Sequence, residues 1–160
     1  MPEVLNPVSV SNEGLSEFAP DSTAPVGMAF YHASEGKPLA TPWQVALIRA
    51  QLLAHAALPE GFILDCACGS GIQLAAHTSV LQRPGIGVEL APFRAQASAV
   101  NLNTVAIQRQ ETNSQWMRSS RVVVGDGRQG AEILDAVKDA LSTDVNPKIA
   151  LLHLDPARPR

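Results

Sequence analysis

An apolar run that delivers an acid into a glycine turn is the chemical centre of this chain: Phe62-Ile63-Leu64 leads into Asp65-Cys66-Ala67-Cys68-Gly69-Ser70-Gly71. Glycine has no Cβ, so the backbone at such a turn tolerates positive φ and close approach to a ligand. Ile72-Gln73-Leu74-Ala75-Ala76 follows as the first turns of a helix, whose unpaired N–H groups and positive dipole end would face whatever the loop holds. A dinucleotide, a nucleoside or a phosphate would all suit this arrangement. About twenty residues further on, a second short apolar run, Pro84-Gly85-Ile86-Gly87-Val88, ends in Glu89 and Leu90, where a carboxylate can accept both hydroxyls of a ribose. That favours an adenosine-bearing ligand. The third glycine of the dinucleotide fingerprint would fall at Leu74, which counts against NAD. Asp65 points the same way, because a carboxylate repels a diphosphate and attracts a sulfonium or ammonium cation.

Three motifs in order, Asp65 to Gly71, Gly87-Val88-Glu89 and Leu154-Asp155-Pro156-Ala157-Arg158, resemble those of class I S-adenosylmethionine-dependent methyltransferases. Within that superfamily the chain is most similar to the THUMP-like, RNA-methyltransferase-like group. The likeness rests on the Asp-Pro-Ala-Arg motif and on a segment that begins Thr41-Pro42 and carries Arg49 downstream. The resemblance spans residues 37–160. It implies S-adenosyl-L-methionine as cofactor, held by Asp65, Cys66, Ala67, Cys68, Gly69, Gly71, Glu89, Leu90, Asp126 and Thr41, with Asp126 accepting the exocyclic amine of the adenine. It further implies an acceptor side built from Asp155, Pro156 and Arg158. Ala157 and Arg158 stand where related families carry a second proline and an aromatic, so stacking on a base would fall to the Arg158 guanidinium or to a group elsewhere in the chain. The methyl acceptor implied is an RNA base, which makes RNA the expected partner. Methyl transfer from a sulfonium is an in-line displacement that needs orientation more than acid–base power. A small-molecule or protein methyltransferase with the same donor is the alternative. From a different class, a non-catalytic nucleoside-binding or assembly module also fits, and an NAD-dependent oxidoreductase fits least.

The elements that must position these residues alternate. A helix is expected from Thr41 as N-cap and Pro42 at the first helical position, with Val45, Ile48 and Leu52 at helical spacing until Pro59. Strands are expected at the two apolar runs, at Val122-Val123-Val124 and at residues 149–154, with helices over 92–102 and 131–141. Such alternation predicts an α/β fold, a doubly wound Rossmann-like parallel sheet. Right-handed crossovers order its strands 3-2-1-4, with a switch point between the first and fourth. Residues 1–36, with Pro2, Pro7, Pro20 and Pro25 and no sustained period, read as an irregular N-terminal arm. Residues 37–160 read as a partial methyltransferase domain. A complete fold of the resembling kind continues past a fourth strand, so the expectation is a truncated sheet that a missing C-terminal part or an oligomer partner completes.

Composition sets the outer bounds. The 160 residues are 46% hydrophobic and 17% charged with a formal net charge of −3, which suits one domain. No global basic field draws in nucleic acid, so RNA would need a local patch, for which Arg109, Arg118, Arg121 and Arg128 are candidates. Cys66 and Cys68 are the two cysteines. They are too close for an ordinary disulfide and no second Cys/His pair completes a zinc spacing, so they read as small loop-fillers and no metal is expected. No signal-peptide pattern and no apolar run near twenty residues is present, so a cytoplasmic protein without membrane contact is expected. Phe30, Tyr31, Trp43 and Trp116 read as buried anchors, and His153 as a core or interface histidine.

Overall fold

The computed structural model describes residues 2–18, 27–33 and 41–155. In chain order the elements are β1 (Glu3–Leu5), β2 (Leu15–Phe18), β3 (Phe30–Ala33), α1 (Trp43–Leu53), β4 (Phe62–Cys66), α2 (Ile72–Leu81), β5 (Gly85–Glu89), α3 (Pro92–Gln108), α4 (Gln115–Ser119), β6 (Arg121–Val124), α5 (Gly130–Ala140) and β7 (Ile149–Leu154). Short β-branched and apolar runs separated by helices can bury both faces only as parallel strands between helical layers. The main sheet accordingly runs β1-β6-β5-β4-β7, with β6, β5, β4 and β7 mutually parallel.

This order differs from the expected 3-2-1-4 by one antiparallel strand at the outer edge. β1 pairs with β6, Glu3 opposite Val124 and Leu5 opposite Val122. The N-terminal segment is therefore not irregular throughout: β1 extends the sheet, and β2 and β3 form a separate antiparallel pair. Three residues show no periodicity by themselves; β1 owes its strand form to the exposed N–H and C=O row of β6.

Two cores flank the sheet. On one face, Ile63 and Val122 pack beneath Trp43, Ala46 and Ala50 of α1, Leu74 and Ala75 of α2, and Ala99 and Leu102 of α3. On the other, Ile86, Val88 and Val123 meet Ile133 and Val137 of α5. Val122 and Val123 are consecutive and serve opposite cores, as strand alternation requires. Phe30, Trp43 and Trp116 are buried anchors as expected, Phe30 lying 5.6 Å from Trp43 between ring centroids, whereas Tyr31 is half-buried.

α2 is enclosed on every side from Ile72 to Ser79. Two of its polar members are satisfied locally: Thr78 and Ser79 hydroxyls donate back to the carbonyls of Leu74 and Ala75 at 2.9 and 2.7 Å. At α1 the expected cap is corrected. Pro42 is the flanking residue, extended at ψ 140°, and no side chain caps the helix. Thr41 therefore precedes the cap, and the helix ends at Leu53 rather than at Pro59. No helix of the described residues is long and apolar enough to cross a membrane.

Candidate active site

The parallel register sets β4, β5 and β6 level at one edge, with Cys66 opposite Val88 and Glu89 opposite Val124. Beyond that edge opens a cleft of ≈ 500 Å³ lined by Cys66, Ala67, Val88, Glu89, Leu90, Ala91, Arg94, Gly125, Asp126, Gly127, Arg128 and Leu154. Five of the residues singled out in the sequence, Cys66, Ala67, Glu89, Leu90 and Asp126, thus share one wall system. A smaller hollow of ≈ 260 Å³ lies between β1 and the start of α3, lined by Leu5, Val10 and Phe93 among others.

Glu89 is 8% exposed, and its Oε2 accepts the Ala91 N–H at 2.7 Å. That bond fixes the carboxylate at the head of α3 and leaves Oε1 without a hydrogen bond among the described residues. Asp126 accepts from the Arg128 backbone N–H at 2.9 Å and from its guanidinium at 2.7 Å. The Arg128 hydrogen bonds hold its carboxyl down to about 2, so it is an anion at the cleft mouth.

Asp65 lies near the end of β4, 2% exposed and outside the cleft lining. Burial, with the charge of Asp155 adding to it, pushes its carboxyl up to about 8. Such a group lacks a cation. Gly69 and Gly71 stand at φ +57° and +78°. A Cβ on Gly69 would meet nothing within 4 Å, whereas one on Gly71 would strike Ser98. The open side of the loop is therefore at Gly69, and Gly71 is where it presses on α3.

The structure places several of the expected site residues away from the cleft wall. Cys68 does not line the cleft; its Sγ turns inward to 3.4 Å from the Ser98 hydroxyl, because β5 and α3 close over that side of the loop. Burial raises both thiols, so neither is a ready nucleophile. Thr41 is not among the lining residues. Asp155 is exposed past the end of β7 and acts on Asp65 by charge, while Pro156 and Arg158 lie outside the described residues. Three arginines of the suggested basic patch are engaged locally: Arg109 with Glu111 at 2.5 Å, Arg121 with the carbonyls of Arg118 and Ser120, and Arg128 with Asp126.

Sequence reasoning missed Arg94, a lining residue one turn into α3, and also Ser98 and Asn101 behind the loop; an arginine, serine or asparagine within a helix carries no motif signal. It also missed a polar chain beside β7. Arg49 donates to Gln73 at 3.1 Å, Gln73 lies 3.2 Å from His77 Nε2, and the His77 ring meets His153 edge-on at 5.3 Å. The buried His77 Nδ1 and His153 Nε2 have no hydrogen-bond partner among the described residues, and His153 as a residue is half-buried.

A mostly parallel sheet with an acid-to-glycine loop and a second buried acid at adjacent strand ends defines a Rossmann-like methyltransferase domain. The family model for protein-L-isoaspartate(D-aspartate) O-methyltransferase matches residues 17–148, and the chain belongs to that family. The protein is accordingly an S-adenosylmethionine-dependent methyltransferase. The match begins inside the segment expected to be an arm, and the THUMP-like subgroup finds no support in it. No curated protein and no solved structure matches the chain.

Proposed function

We propose that the enzyme transfers the methyl group of S-adenosylmethionine to a carboxylate oxygen of an isoaspartyl residue in a protein or peptide. The family match over residues 17–148 carries the choice of acceptor; the cleft at the ends of β4, β5 and β6 supports the donor site. The donor supplies a methyl group activated by a sulfonium. Glu89 Oε1 would take the ribose hydroxyls, and the wall of Asp126 and Gly127 would border the adenine. The open face of Gly69 would let the backbone lie against the donor, and Asp65 would answer its cationic end. An acceptor carboxylate is already an anion at neutral pH, so no general base is needed and the residues contribute by orientation.

An amine on an RNA base is the second reading, favoured by one observation. Asp155 is exposed past the end of β7 with no ion pair among the described residues, and an unpaired carboxylate at that strand end attracts an amine and repels a carboxylate. Incubation with methyl-labelled donor and three acceptors, an isoaspartyl peptide, its aspartyl twin and total RNA, separates the readings. Label in the isoaspartyl peptide alone, released by mild alkali as a methyl ester requires, is the expected result. Alkali-stable label in RNA with none in the peptide overturns the carboxylate reading.

A further inference from the structure

Asn101 is fully buried in α3, and its amide is occupied by backbone on both ends. Oδ1 accepts the Tyr31 N–H at 2.8 Å, while Nδ2 donates to the Tyr31 carbonyl at 2.9 Å and to the Ser70 carbonyl at 2.7 Å. One side chain thus joins β3, which precedes α1 in the chain, to the glycine loop that follows β4. One helical turn earlier, Ser98 is also fully buried, faces Cys68 Sγ, and sits where Gly71 makes its closest approach. The loop itself is held sparsely. Its own backbone bonds are Cys68 N–H to Val88 and Gly71 N–H to Cys68, both 2.9 Å, and Ala67, Gly69 and Gly71 all lie at positive φ. Conformations of that kind persist only where surrounding structure imposes them.

We infer that Asn101 is a positioning residue of the donor site, clamping the glycine loop to β3 so that donor binding and the tightening of Phe30–Ala33 are a single event. The inference rests on the reading that this loop holds the donor. Asn101 touches neither donor nor acceptor in this arrangement. It acts by keeping the Ser70 carbonyl, and with it the Gly69 turn, in the shape that a ligand requires, so the loop is formed before the ligand arrives. Because the same amide grips both bonding groups of Tyr31, a ligand that steadies the loop must also steady β3.

Asn101→Asp keeps the shape of the side chain and the acceptor for the Tyr31 N–H, but sets an anionic oxygen against two carbonyl oxygens. Calorimetric titration with S-adenosylmethionine is paired with hydrogen exchange of the free and donor-bound protein. In the wild type, the donor should slow exchange at residues 68–72 and also at 30–33. In Asn101→Asp the affinity should fall about tenfold or more, the scale of losing hydrogen bonds to a buried carbonyl, and the slowing at 30–33 should vanish. A wild type that does not bind the donor overturns the donor-site reading itself. A wild type that binds, beside a folded Asn101→Asp that binds equally well, overturns this inference alone. If Asn101→Asp fails to fold, the wild-type exchange decides: no donor-dependent slowing at 30–33 overturns the clamp, and slowing there that Ser98→Ala leaves in place supports it.

Discussion

The carboxylate of Asp155 acts on the buried carboxyl of Asp65 at the ends of the paired strands β4 and β7, where Asp65 is opposite His153 and Cys66 opposite Leu154. Burial is the larger reason that Asp65 resists ionisation, and the charge of the exposed Asp155 adds to it. Asp65 holds its proton up to about pH 8.

Donor affinity should therefore depend on pH. A cation placed beside Asp65 favours its ionised form, so binding below about pH 8 releases a proton. Affinity for S-adenosylmethionine should climb by up to about tenfold per pH unit and level off above that value. Titrations from about pH 6 to 9, in two buffers of different ionisation enthalpy, read both the slope and the proton. Asp65→Asn should flatten the slope; a wild-type affinity independent of pH would remove Asp65 from the donor site.

The same residue should cost the free protein stability. Its folded value, about 8, lies above the ordinary 3.8, so the native state prefers the neutral form. That preference is fully satisfied below pH 3.8 and is lost as pH rises through the window to about 8. At the upper end the penalty is on the order of a few kcal/mol. Asp65→Asn should melt higher than the wild type at pH 8 while binding donor less well, and the gap should close towards pH 4. Equal melting temperatures at pH 8 would mean that the buried carboxyl is solvated after all.

His77 should act in the opposite direction. Burial, with His153 and Arg49 adding to it, lowers its imidazole to about 4 from 6.5. Above pH 6.5 both native and unfolded states are neutral there. As pH falls towards 4 the unfolded chain takes up a proton that the folded one refuses, costing roughly 1.4 kcal/mol per unit. His77→Phe keeps a ring between Gln73 and His153 and should flatten the acid limb of a melting-temperature profile. An unchanged acid limb would assign it to other groups.

The chemistry-bearing loops were more legible in the sequence than the elements that hold them. Asp65 to Gly71 and Glu89 could be found because an apolar run, an acid and a glycine turn follow one another locally. Val122-Val123-Val124 was found for the same reason, since strand runs announce themselves. β1 was not, because its three residues become a strand only by pairing with β6. α4 was missed for its length, although Ser114 caps it through the Met117 N–H at 3.3 Å. Thr41 gave a capping signal that Pro42 overrode by its extended backbone. The clamp at Asn101 joins segments that lie 70 and 31 residues before it in the chain, and nothing local encodes such a meeting.

Glu89 should prove a donor ligand whose loss is separable from folding. Gln in its place can still accept the Ala91 N–H, so α3 keeps its start, while the anionic acceptor facing the cleft is gone. Glu89→Gln should weaken donor binding by about 1–3 kcal/mol, the usual range for hydrogen bonds to a charged group. Its melting temperature without donor should stay close to the wild type. Calorimetry and a thermal melt on the same sample check both; unaltered affinity would take Glu89 out of the ribose role.

Two glycines in one loop should fail in different ways when given a methyl group. At Gly71 an added Cβ would stand 2.8 Å from the Ser98 Cα, a backbone atom that cannot step aside. Gly71→Ala should lower the melting temperature steeply and lose binding with it. At Gly69 the new methyl meets no protein atom within 4 Å, so its structural cost is the left-handed backbone alone, about 1–2 kcal/mol. That methyl projects into the open side of the loop, where the donor would lie. Gly69→Ala should therefore stay folded and lose donor affinity out of proportion to its stability. Thermal melts with and without S-adenosylmethionine separate the two, because only a folded protein that no longer binds shows a melt indifferent to the donor. A Gly69→Ala protein that the donor still stabilises as much as the wild type would place the donor elsewhere than on this loop.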